Sequence, residues 1–137
     1  PAIAGAALYV IEHFDKEFLP LKEKLAENTR YFRTKLEKLG YTLGGASVSS
    51  SSLKMKDEGL RILYNPITPI MTMDEPKTMA LADALLEEGI YVRGFTYPVV
   101  PKGKARIRVQ LSAQHSRKDL DKALSAMEKV AKKLQMI

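Results

Sequence analysis

The chain has 137 residues, 45% of them hydrophobic, enough for one domain with a buried core and too few for two ordinary ones. It contains no cysteine, which excludes disulfides, thiolate metal sites and a cysteine nucleophile. The net charge of +6 is uneven: residues 1–101 hold 12 basic and 13 acidic side chains, and residues 102–137 hold 10 and 3. A basic segment of this kind suits a nucleic-acid surface, an acidic membrane or a small anionic ligand, and composition does not choose among them.

Residues 1 to 14 place Ile3, Ala4, Ala7, Leu8, Ile11 and Phe14 at helical spacing behind a proline, which predicts a first helix. No apolar run reaches the ~20 residues of a membrane span, and the opening stretch lacks the basic region of a secretory signal, so a cytoplasmic location is expected. The stretch DKEFLPL interrupts the helix. A second one follows with Leu21, Leu25, Phe32, Leu36 and Leu39 on one side and ends at Gly40, which accepts a left-handed cap. Its other side, from Lys22 through Arg30 and Arg33 to Lys38, reads as a solvated charged face.

Residues 44–59, GGASVSSSSLKMKDEG, carry no burying period and read as a surface excursion. Strands are predicted at Leu60 to Tyr64 and at about Ile67 to Met73, with Pro66 and Pro69 favouring a strand end or a sheet edge. Asp74 caps a third helix whose buried stripe is predicted as Met79, Ala82, Leu85 and Leu86, stopped by Gly89. IYVRGF reads as a strand, TYPVVP as a proline-stiffened loop, and ARIRVQL as another strand. Ser116 with Asp119 makes a capping-box pattern for a last helix, striped by Leu120, Leu124, Met127, Val130 and Leu134. The order predicts an α+β fold: one small antiparallel sheet with helices packed on one face.

In the strand RIRVQ, alternation sends Ile107, Val109 and Leu111 to one face and Arg106, Arg108 and Gln110 to the other. Two readings of the arginine face stay open on chemistry alone. One is a half-exposed sheet whose arginines are salt-bridged; the other is a guanidinium on a rigid strand that holds a carboxylate or phosphate by two parallel bonds. His13 and His115 are far apart and in no metal spacing. The glycines form no phosphate-cradling motif, and Ser49 to Ser52 lack the strained turn and base of a nucleophile. Tyr91, Phe95 and Tyr97 lie near the basic segment, but no RNA-binding signature accompanies them, so nucleic acid is not the expected partner.

EEGIYVRGFTYPVVPKGKARIRVQLSAQHSRKDLDKAL, residues 87–124, resembles the C-terminal part of the α-oxoamine synthases, a family of pyridoxal-phosphate enzymes. The likeness is to its glycine C-acetyltransferase (2-amino-3-ketobutyrate coenzyme A ligase) branch, and it extends through PAIAGAAL, LKEKLAENTRYFRTKLEKLGY and PITPIM. The resemblance implies the C-terminal small domain of a fold-type I pyridoxal-phosphate-dependent transferase, with residues 1–14 as an interdomain helix and 15–137 as the small domain. It assigns to Arg108 the binding of the amino-acid substrate's carboxylate; Arg106, on the same strand face, either supports it or binds elsewhere, and Lys102 and Lys104 of the basic segment suit the phosphates of coenzyme A.

The implied substrates are glycine and acetyl-CoA, or 2-amino-3-oxobutyrate and CoA, in threonine degradation. No catalytic or cofactor-binding residue of the family is matched in the chain, so pyridoxal 5'-phosphate is expected in a large domain outside it, and this portion alone is expected to be inactive. A homodimer is implied for the longer enzyme. Two departures stand out: the serine-rich stretch from Ala46 to Gly59 exceeds the family's usual connection, and Thr96 occupies a position where an aromatic is expected. The alternative, prompted by the basic segment, is a stand-alone module that binds RNA or an acidic partner.

Overall fold

A computed structural model describes residues 2–45 and 65–136; the strand expected at Leu60 to Tyr64 and the serine-rich stretch lie outside the described residues. The elements are α1 (Ala2–Glu12), a π-helical turn (Phe14–Phe18), α2 (Leu19–Lys38), β1 (Ile67–Met71), α3 (Glu75–Glu87), β2 (Arg93–Phe95), β3 (Arg106–Gln110) and α4 (Arg117–Lys133). The sheet has the order β1-β3-β2 and both pairings are antiparallel. The expected α+β architecture is present, with helices on one face of a small antiparallel sheet.

The predicted break at DKEFLPL is instead a π-helical turn that carries α1 into α2. Pro20 lacks an N–H and sits in the first turn of α2, where the ordinary ladder meets a missing donor. The chain absorbs this by widening one turn, and Leu19 N–H donates to Phe14 O five residues back. α1 buries none of its residues, and Ile3, Leu8 and Ile11 are all exposed.

The core lies between the inner sheet face and α2, α3 and α4. Ile107, Val109 and Leu111 point inward as alternation requires, and they join Ile70, Phe32, Leu36, Leu81, Leu85, Leu124 and Met127 in one cluster. The α4 stripe is as expected, and its capping box is complete: Asp119 N–H donates to Ser116 Oγ at 3.2 Å and Ser116 N–H to Asp119 Oδ2 at 2.8 Å. The Ser116 hydroxyl also donates to Asp119 Oδ2 at 2.7 Å, and this bond, with the one from the Ser116 N–H, holds the Asp119 carboxyl below its usual pKa.

Gly40 (φ 93°) and Gly89 (φ 77°) take the left-handed conformation after α2 and α3. Each makes a paired closing motif, with Tyr41 N–H on Leu36 O at 3.1 Å and Ile90 N–H on Leu85 O at 2.8 Å. Pro69 sits on an edge strand, whose outer side pairs with Thr42 to Gly44 through Gly44 N–H on Pro69 O at 2.8 Å and Met71 N–H on Thr42 O at 2.8 Å. The missing proline donor therefore faces away from β3.

Two side-chain expectations are corrected. The buried stripe of α3 is Thr78, Leu81 and Leu85, while Met79 and Leu86 are exposed. Thr78 is a usable core residue because its hydroxyl is satisfied by Asp74 O at 2.6 Å and by Thr72 Oγ1. On α2, Leu21 is exposed and Arg33 is buried, at 7% exposure, with its guanidinium donating to Gly44 O at 3.3 Å. Arg33 thus ties the end of the helical layer to the outer edge of β1 rather than belonging to a solvated face.

Candidate carboxylate-binding face

Antiparallel register sets which side chains are neighbours on the outer face of the sheet, because directly opposed residues point the same way. Arg108 on the central strand lies opposite Pro69 of β1 and Arg93 of β2. Arg106 lies opposite Met71 and Phe95. Arg106 is half-buried and Arg108 is exposed, so both stand where alternation put them, on the face away from the helices.

The Arg108 guanidinium leans diagonally over the Phe95 ring, with its carbon 4.4 Å from the centroid. This cation–π contact holds the side chain without consuming its N–H donors. Among the described residues, no carboxylate is within ion-pair distance of Arg93, Arg106 or Arg108; the ion pairs lie elsewhere, at Arg117–Glu27, Lys129–Glu88 and Lys132–Glu128. The salt-bridged reading of the strand arginines therefore has no described partner behind it. Three guanidiniums without a carboxylate partner among the described residues face outward on one sheet.

The frame around this face is tight. Gly94 packs against α3, where an added Cβ would meet Thr78 Cγ2 at 3.2 Å and Met79 Sδ at 3.4 Å. At the other end of β3, buried Asn28 of α2 donates through Nδ2 to Ser112 O at 3.3 Å and His115 O at 2.9 Å. The turn into α4 is closed further by Ser112 N–H on His115 Nδ1 at 3.2 Å. His115 is thus an acceptor in a turn, and His13 stacks on Tyr9 with ring centroids 4.0 Å apart. The described residues contain no group of three or more metal-ligating side chains.

Lys102 and Lys104 lie exposed in the loop between β2 and β3, with Lys102 Nζ 5.2 Å from the centroid of the Tyr97 ring. Thr96 is half-buried and its carbonyl accepts from Val100 N–H at 3.1 Å within the same loop. A cavity of about 220 Å³ opens at the far end of β3, walled by Phe32, Val109, Leu120 and Met127, with His115 and Asp119 among its lining residues. His115 and Asp119 are both engaged in local turns. No described helix is long and apolar enough to cross a membrane.

Arg93 is the member of this face that the sequence alone does not point to. It lies 15 residues before Arg108, and only the strand register makes the two neighbours.

The outer sheet face thus carries three arginines with no carboxylate partner among the described residues, and three helices back it. Residues 1–127 match the sequence profile of the aminotransferase class I and II family, and the chain belongs to that family. The chain is 39% identical over 137 residues to an 8-amino-7-oxononanoate synthase of Symbiobacterium thermophilum, covering 100% of this chain and 30% of that protein. It is 42% identical over 132 residues to the mitochondrial 2-amino-3-ketobutyrate coenzyme A ligase of Homo sapiens, covering 96% of this chain and 27% of the relative. These relatives place it among the α-oxoamine synthases. The fold is similar to serine palmitoyltransferase of Sphingomonas wittichii, with a TM-score of 0.68 at 26% identity over 84% of this chain and 25% of that one. The chain therefore spans less than a third of the length of these relatives.

The family is pyridoxal-phosphate-dependent. Among the described residues no lysine, aspartate or glutamate is buried, so none offers an enclosed amine or carboxylate to such a cofactor's aldehyde or ring nitrogen. These residues do not fit the cofactor by themselves. What the arginine face fits is a small oxyanion.

Proposed function

We propose that this chain is the C-terminal small domain of a glycine C-acetyltransferase, which joins glycine to acetyl-CoA or cleaves 2-amino-3-oxobutyrate with CoA. In this reading Arg108 binds the carboxylate of the amino-acid substrate. The observation that carries it is the exposed Arg108 guanidinium, steadied over Phe95 and facing no described carboxylate.

A planar fork that grips both carboxylate oxygens fixes the plane of the carboxyl group and, with it, the direction of the bonds at the α carbon. Orientation of this kind lowers a barrier by removing rotational freedom before the chemical step. Lys102 and Lys104, on a loop at the end of the same strands, suit the phosphates of coenzyme A. Pyridoxal phosphate is held by a large domain that this chain does not supply, and α1, with its uncovered apolar side chains, is the helix that joins the two.

Both the ligase and the oxononanoate synthase are named among the relatives, so the acyl donor is the point to assay. The longer gene product should consume glycine with acetyl-CoA and release CoA. Turnover only with longer acyl-CoA thioesters would assign the domain to another branch of the same family.

A further inference from the structure

Arg93 and Arg108 are directly opposed on β2 and β3, and their side chains leave the sheet on the same face. Two like charges in that relation repel, and no described acidic side chain offsets either of them. Folding of the domain gains nothing from the pair. The strands that carry it are nevertheless held firmly: Gly94 lets β2 close on Thr78 and Met79 of α3, and Phe95 braces Arg108 from the next position along β2. A rigid sheet that sets two guanidiniums side by side, neither with a carboxylate partner among the described residues, is an arrangement that a shared oxyanion completes.

We infer that Arg93 and Arg108 form one clamp across β2 and β3, in which Arg93 gives a second cationic contact to the oxyanion that Arg108 binds. The inference rests on the proposed function for the identity of that oxyanion, the amino-acid carboxylate, but not for the clamp itself. Arg106, two residues along the strand and half-buried opposite Phe95 and Met71, supplies background positive potential rather than a ligand contact.

The test uses the complete enzyme that carries this domain, with kcat and KM measured for both glycine and acetyl-CoA in Arg93→Gln, Arg108→Gln and the double variant. Arg93 is exposed, so its replacement leaves the fold intact, and an unchanged melting temperature checks this. Arg93→Gln should raise the KM for glycine about tenfold with kcat held within about twofold, and Arg93→Lys should recover part of the loss. The double variant should lose less than the product of the two single losses, because either change already opens the clamp.

Three results would overturn the clamp: Arg93→Gln leaves both KM values unchanged, it raises only a KM that Arg108→Gln does not, or the two effects multiply. If both single variants raise the KM for acetyl-CoA and spare glycine, the clamp stands with a CoA phosphate as its anion, and the carboxylate role of Arg108 fails. If Arg108→Gln alone raises the KM for glycine, that role stands and the clamp fails.

Discussion

The Arg108 guanidinium carbon sits 4.4 Å from the centroid of the Phe95 ring on the adjacent strand. An aromatic face is the one kind of neighbour that steadies a guanidinium while leaving its fork open. Replacing Phe95 with Leu keeps apolar bulk and removes the ring. The KM for the amino acid should rise about threefold, in line with a partly exposed cation–π contact, whereas Phe95→Tyr should leave it near the original value. Kinetics of the two variants side by side decide the matter; equal effects would mean that the ring only fills space.

Asn28 anchors the turn between β3 and α4 by giving both of its amide hydrogens to carbonyls of Ser112 and His115. Asn28→Ala leaves those carbonyls short of donors in a closed setting and should lower the unfolding free energy by about 2 kcal/mol. Urea denaturation measures this. A change below about 0.5 kcal/mol would show that water replaces the amide without loss.

Thr68 Oγ1 on β1 is fully buried, at 0% exposure, and has no hydrogen-bond partner among the described residues. Such a hydroxyl is a cost to the fold, and valine has the same branched shape without it. Thr68→Val is expected to raise the unfolding free energy by about 1 kcal/mol, read as a shift of the urea midpoint at unchanged slope. A loss of stability would contradict the unpaired hydroxyl.

Tyr41 is 7% exposed, and its hydroxyl donates to Met127 O at 2.9 Å. Burial pushes its pKa up from 10.0 to about 12. Since the folded value lies above the unfolded one, the neutral phenol's contribution is whole below pH 10 and is lost as pH climbs toward about 12. Circular dichroism should show stability falling across that window, and Tyr41→Phe should flatten this part of the profile. An identical alkaline slope in both proteins would assign the loss to other groups.

Local signals carried much of the fold. The Ser116–Asp119 box, the Asp74 cap, the glycines at 40 and 89 and the alternation around Ile107 each act within a few residues, and each appears as the sequence predicts. What the sequence could not convey depends on which partners the folded backbone brings to each side chain. The α3 stripe rotates toward Thr78 because that hydroxyl finds Asp74 O and Thr72, so a polar residue outcompetes Met79 for the core. Arg33 is buried because Gly44 O comes within reach only after β1 is in place. The site divides in the same way: Arg106 and Arg108 were readable from alternation along one strand, while Arg93 joins them through a register that no single strand encodes.

Carboxylate binding by Arg108 is tested by replacing it with Ala in the complete enzyme and measuring steady-state kinetics with glycine as the varied substrate. Loss of a charge-assisted, two-bond contact should raise the KM for glycine roughly 100-fold. An unchanged KM would contradict the role given to Arg108 and return the arginine face to the status of a solvated sheet surface.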